Sequence, residues 1–218
     1  LVALFGSVAA MLILLRHGQT FSNVERKLDT QLPGAALTEL GQNQAREAGQ
    51  AIMERFNVSR VISSEALRAR QTAALGFGEV FGEIPAVAGL QEVNAGRWEM
   101  LNSREAHEAY FNAFRGFYQR NLQATIEGGD TLDAFLTRYQ AGLAPYLELG
   151  GTTVAVSHGG AIRAFAANAA FARGVSAEYA EQSHLSNCQW VVLNPGDPSR
   201  PFGEWDVVEW GHYPHPNS

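Results

Sequence analysis

Apolar residues along this chain fall into two patterns that take turns. Short, nearly unbroken runs, several of them β-branched, lie at 11–15, 60–63, 84–88, 152–157 and 188–193, with another near 205–210, and predict buried strands. Between them the apolar positions recur at helical spacing. Thr38 can cap a helix reaching about Phe56, Glu65–Ala74 supports a second, Thr131–Glu148 a third with Asp130 or Thr131 as its cap, and Ala161–Ala172 a fourth. Strand–helix alternation of this kind predicts an α/β fold in three layers, a mostly parallel central sheet with helices on both faces. One further stretch, Ser103–Gln123, sets Tyr110, Phe111, Phe114, Phe117 and Tyr118 at roughly helical spacing. No internal repeat, linker or low-complexity segment interrupts the 218 residues, which read as a single domain.

Two of the predicted strands run straight into His-Gly. Leu12-Ile13-Leu14-Leu15 is followed by Arg16-His17-Gly18-Gln19-Thr20, and Val154-Ala155-Val156-Ser157 by His158-Gly159-Gly160. Strand carboxyl ends are where open α/β sheets place their ligands, so two such histidines can converge although they are far apart in sequence. An imidazole there can attack phosphorus while a neighbouring guanidinium holds the equatorial oxygens. The alternative is two unrelated turn histidines. A third strand, Val61-Ile62-Ser63-Ser64, leads into a helix with Arg68 in its first turns, from which a bidentate guanidinium can reach an anion at the strand ends. Arg70, two positions on, points elsewhere and reads as a surface charge.

Composition narrows the partners. Sixteen basic against 22 acidic residues give a formal charge of −6, which argues against a nucleic-acid or anionic-membrane binder and makes any positive pocket local. Cys188 is the only cysteine, so no intrachain disulfide forms, and the apolar run after it suggests a buried strand residue. A cytoplasmic protein is the expectation. Leu1–Leu15 is almost wholly apolar, yet no basic region precedes it, it is too short to span a bilayer, and cleavage inside it would threaten the strand that presents His17. Residues 1–10 read either as an extension foreign to the fold or as an added strand or arm packing on a partner chain, which would make a homodimer.

The residues around these strand ends resemble the histidine phosphatase superfamily, also called phosphoglycerate mutase-like. The resemblance rests on five ordered blocks: Arg16-His17-Gly18 with Thr20 and Asn23; Leu37-Thr38, Gly41 and Gln44-Ala45; Ser63-Ser64, Leu67-Arg68-Ala69 and Gln71-Thr72-Ala73; Leu90-Gln91-Glu92 with Gly96, Trp98 and Glu99; and Val156-Ser157-His158-Gly159. It implies that His17 is the nucleophile that becomes phosphohistidine. It also implies that Arg16, Arg68 and His158 surround the phosphoryl group with Thr20, Asn23 and Gly159, and that Glu92 protonates the leaving oxygen. Fixed cations and donors around one small oxyanion need neither metal nor cofactor, and none is expected. Nearby Arg16 and Arg68 would keep His17 neutral, as a nucleophile must be.

Several positions keep a second reading. Asn23 could equally cap a helix starting at Val24, and Glu92, taken alone, is a solvated loop glutamate. His107, His184, His212 and His215 fall outside every block and read as surface, core or tail histidines; Trp98 and Glu99 read as packing residues. Two departures touch the pocket beside Glu92, since Ala95 stands where the family commonly has an aromatic residue and Met100 where it usually has glycine. The aromatic stripe corresponds to the insertion that covers the family's active site, so residues 100–128 are expected to form a helical lid, with Phe114 and Phe117 helping to select substrates. Ser22 before Asn23, where the cofactor-dependent mutases usually carry tryptophan, and an insertion rich in aromatics rather than basic residues favour a phosphatase of small phosphorylated metabolites over a mutase. A catalytically silent phospholigand-binding protein is the third possibility.

Overall fold

The computed structural model describes residues 10–218; the expectation of an N-terminal arm falls on residues outside that range. Six strands, β1 (Ala10–Arg16), β2 (Val58–Ser64), β3 (Ala86–Val87), β4 (Thr152–Ser157), β5 (Trp190–Gly196) and β6 (Asp206–Trp210), form one sheet in the order β3-β2-β4-β1-β5-β6. The β3-β2, β2-β4 and β4-β1 pairings are parallel; β5 runs antiparallel between β1 and β6. The unbroken apolar character of β1 follows from burial on both faces. Leu12 and Leu14 face one core, with Phe135, Tyr139 and Phe165, whereas Ile13 and Leu15 face the other, with Ile52, Ala69 and Phe77.

The helices are α1 (Phe21–Val24), α2 (Glu39–Arg55), α3 (Leu67–Phe81), α4 (Arg104–Tyr118), α5 (Leu132–Leu147), α6 (Gly159–Ala169) and α7 (Ala177–Gln182). The Thr38 hydroxyl caps α2 by accepting from Gly41 N–H, and Thr131, rather than Asp130, caps α5 by accepting from Ala134 N–H. Asp130 instead pairs with Arg138 at 2.7 Å. Four expectations are corrected. The segment after Asn23 is not a helix capped by it: Thr20 caps α1, which ends at Val24. The 65–74 helix begins at Leu67 and runs on to Phe81. The 84–88 strand shrinks to two paired residues at the sheet edge. Cys188 lies in the turn before β5 at φ 58°, not in the strand. No helix among the described residues is long and apolar enough to cross a membrane.

Candidate active site

Parallel pairing of β1 with β4 brings the two histidines together. Arg16 is in register with Ser157, so His17 and His158 emerge as neighbours, their rings edge-to-face with centroids 5.3 Å apart. The Nδ1 of His17 lies 2.7 Å from Gly18 O. A carbonyl can only accept, so Nδ1 carries the hydrogen and the Nε2 lone pair is free. Burial first, then the charges of Arg68 and Arg16, hold the His17 pKa well below the ordinary histidine value and keep the ring neutral. The turn after it is packed backbone on backbone, since a Cβ on Gly18 would meet Gly41 O at 2.3 Å.

Arg68 enters from the first turn of α3 and is buried. Its Nε donates to His158 Nδ1 at 3.2 Å, while Nη1 makes no hydrogen bond among the described residues and pairs with Asp29 Oδ1 at 3.8 Å. Gly34, at φ 72°, makes room for it, because a Cβ there would lie 2.1 Å from Nη1. With Nδ1 accepting, the neutral His158 ring carries its hydrogen on Nε2 and donates to Ser64 Oγ at 2.9 Å. Burial, then Arg68, then His17 push the His158 pKa well down. His158 is fully buried and lies behind the cavity wall, so in this structure it orients Arg68 and packs on His17.

Arg16 donates through Nη1 to Leu185 O, its buried Nε has no partner, and no carboxylate pairs with it among the described residues. Gly159 permits this course: a Cβ there would lie 3.1 Å from Arg16 Nε. In the Thr20–Asn23 capping box, Asn23 Oδ1 accepts from Thr20 N–H at 3.1 Å and from Asn187 Nδ2 at 3.1 Å. Asn23 Nδ2 is left as a free donor on the cavity wall. Glu92 is clamped at the start of α6, its Oε1 accepting from Ala161 N–H at 2.6 Å and Val93 N–H at 2.9 Å, and its Oε2 from Gly160 N–H at 2.9 Å. Arg138 fixes the loop from behind through Gly89 O, Gln91 O and Glu92 O. Glu99 holds Thr30 and Gln31, as a structural residue would.

These groups surround a cavity of about 550 Å³. Its wall carries Arg16, Arg26, Lys27, Arg68 and Arg163 against two carboxylates, Asp29 and Glu92, an excess of cation in a chain of net charge −6. Arg70 is exposed and absent from it. Sequence reasoning missed Asn187, which also donates to His17 O at 3.1 Å, and assigned no cavity role to His107 and His184, which line the wall. Arg163 was the one readable omission, four residues after Gly159 and hence on the same helix face. The aromatic stripe divides: Tyr110, Phe111 and Phe114 reach the cavity, but Phe117 is fully buried in the core, which corrects its expected place in the lid.

A neutral imidazole flanked by two buried guanidinium groups, one of them without a carboxylate partner among the described residues, at the carboxyl edge of a mostly parallel α/β sheet, is the equipment of an enzyme that transfers phosphoryl groups. The chain belongs to the histidine phosphatase superfamily (branch 1), whose family model matches residues 12–210. Among its relatives is phosphoglycerate mutase-like protein 4 of Arabidopsis thaliana, 28% identical over 94% of this chain and 86% of that protein. A 2,3-bisphosphoglycerate-dependent phosphoglycerate mutase of Parvibaculum lavamentivorans is 31% identical over 70% of this chain and 76% of its own. Among solved structures, a mycobacterial glucosyl-3-phosphoglycerate phosphatase superposes with a TM-score of 0.73 at 27% identity, covering 94% of this chain and 100% of that one.

Proposed function

We propose that this enzyme is a phosphomonoesterase of small phosphorylated metabolites that works without metal or cofactor through a phosphohistidine on His17. The observation that carries the reading is the Nδ1–H hydrogen bond from His17 to Gly18 O, which frees Nε2 beside Arg16 and Arg68. The His17 Nε2 lone pair forms the N–P bond as the P–O ester bond breaks. The departing oxygen keeps that bond's electrons and takes a proton from Glu92, on whose Oε2 one lone-pair direction remains free of backbone donors. Glu92, now a carboxylate, removes a proton from water, whose oxygen attacks phosphorus as the P–N bond breaks; phosphate leaves and His17 is restored. Arg16, Arg68 and the Asn23 amide hold the equatorial oxygens, and His158 keeps Arg68 in place.

Water is favoured over a second phosphoester as acceptor by what the 100–128 segment supplies. Its cavity-lining residues are His107, Tyr110, Phe111 and Phe114, so the segment adds no lysine or arginine for the far phosphate of a bisphosphate to the Arg26, Lys27 and Arg163 that other segments bring to the wall. The likeness to a glucosyl-3-phosphoglycerate phosphatase supports the same preference, and that to phosphoglycerate mutases keeps the alternative in view. A lone cysteine suits the reducing cytoplasm in which we place the protein. The test is hydrolysis of a phosphomonoester panel with EDTA present, in wild type and His17→Ala, with trapping of acid-labile phosphoprotein. Turnover and labelling in wild type alone are expected. Labelling from a bisphosphate followed by exchange between monophosphates would make the enzyme a mutase, and neither labelling nor turnover would leave a binding protein.

A further inference from the structure

A second cavity, of about 510 Å³, opens beside the first and shares Phe111, Phe114, Arg163 and His184 with it. Phe111 stands edge-on to His184 with ring centroids 6.4 Å apart, and these two shared side chains mark the neck. Beyond it the wall is Glu108, Asn112, Arg115, Tyr118 and Glu181. Two of the lining residues, Tyr118 and Arg163, only 5% and 8% exposed, each carry a buried polar atom without a partner among the described residues, the Tyr118 hydroxyl and Arg163 Nε. Arg163 spends Nη2 on the carbonyls of Ala180 and Glu181, and no carboxylate pairs with it among the described residues. Native proteins seldom leave such groups unsatisfied, and a ligand oxygen is one way to satisfy them. Burial pushes the Tyr118 phenol up to about 12, so it stays neutral and both donates and accepts.

The chemistry of the wall narrows the occupant. Donors on Arg163, Tyr118 and Asn112 stand beside two ion pairs, Arg115–Glu181 at 2.7 Å and Arg104–Glu108 at 2.6 Å, with Phe111 and Phe114 completing the wall. Those pairs neutralise the glutamates but leave carboxylate lone pairs that can accept from hydroxyls, whereas an alkyl tail would leave the Tyr118 hydroxyl and Arg163 Nε unpaired. A neutral ring bearing several hydroxyls matches donors, acceptors and aromatic walls together. Arg163 also sits about 6 Å along the axis of α6 from Gly159, so a leaving group must extend well past its ester oxygen to reach it.

We propose that this second cavity is a leaving-group subsite for a ring-sized polyhydroxylated group, so that the preferred substrates are phosphomonoesters of glycosides rather than of bare trioses. The placement of the reacting phosphoryl group rests on the phosphomonoesterase reading above. The test compares glycerol 3-phosphate with its 2-O-glucoside, first as ligands of His17→Ala by calorimetry and then as substrates of the wild type. Asn112→Trp, at an exposed position, fills the second cavity, and Tyr118→Phe removes only the unpartnered hydroxyl. The glucoside is expected to bind at least about tenfold tighter than the parent ester, the scale of one or two added hydrogen bonds. Both substitutions should erase most of that advantage while leaving glycerol 3-phosphate unaffected.

Equal affinity for the two esters, or an advantage that survives Asn112→Trp, overturns the subsite. Tighter binding of the glucuronide than of the glucoside overturns the neutral-polyol assignment. An affinity difference that behaves as expected in a protein that neither labels nor turns over would uphold the subsite while removing the phosphohistidine reading.

Discussion

Gly159 shows how a single missing Cβ can position a buried charge. An alanine there would place its Cβ 3.1–3.3 Å from Nε, Cδ and Cζ of Arg16, close enough that the guanidinium must give way by a few tenths of an ångström. The residue opens a helix and has no positive φ, so its backbone tolerates the change. Gly159→Ala is therefore expected to lower kcat on any phosphomonoester by about ten- to a hundredfold, the scale of a misplaced phosphate-holding group, with little change in melting temperature. An unchanged kcat would show that Arg16 does not depend on that space. Met100 is the converse case. The sequence marks it as standing where the family usually has glycine, and its φ of 62° supplies the reason. Met100→Gly trades left-handed strain against chain entropy and should raise stability by about 0.5 kcal/mol, measured by urea unfolding. Asn187 carried no such signal: a loop residue far from the blocks, it reaches the site only because β5 folds back beside β1.

At the scale of the element, α4 was legible as a helix but not in its orientation. Tyr110, Phe114, Phe117 and Tyr118 lie at spacings that share a face and pack toward the core, with Tyr110 and Phe114 at its margin also touching the cleft, while His107 and Phe111, four residues apart, face the cleft alone. Aromatic content alone cannot separate these groups, because both are apolar and differ only in what stands opposite. Phe117→Ala, at a fully buried ring stacked on Phe135, should cost about 3–5 kcal/mol of stability by urea unfolding. Phe111→Ala, at a half-exposed ring, should leave stability within about 0.5 kcal/mol of wild type yet reorder kcat/KM across the phosphomonoester panel. Loss of folding with Phe111→Ala, or an unaltered ranking, would remove α4 from substrate selection. The shortened β3 and the displaced start of β5 were lost for a different reason: short apolar runs record burial, not pairing, and Cys188 is buried in a turn.

Over the whole molecule, strand–helix alternation made the layers and the mostly parallel sheet readable, and His-Gly at two strand ends made the edge where His17 and His158 meet readable. The antiparallel insertion of β5 was not, because strand direction is set by connections rather than by hydrophobic pattern. That architecture concentrates a cost at the centre of the sheet. His17 and His158 follow the paired ends of β1 and β4, are both buried, and both have pKa values driven well below 6.5, first by burial and then by Arg68. The unfolded chain binds a proton at each near pH 6.5, whereas the folded chain refuses both. Their contribution to stability is therefore fully present above about pH 6.5 and is lost as pH falls through the window down to the folded-state values. Each adds a slope of up to about 1.4 kcal/mol per pH unit, or about 2.7 for the pair. Urea unfolding between pH 7.5 and 5, above the range where most unfolded carboxylates titrate, should show this decline. His158→Gln, whose amide can still donate to Ser64 and accept from Arg68, should lower the slope by up to about 1.4 kcal/mol per pH unit, leaving the contributions of His17 and of His184, whose pKa burial also lowers. A slope that is flat in wild type, or unchanged by the substitution, would mean that one or both rings protonate within the folded protein and that His17 is not held neutral by its surroundings.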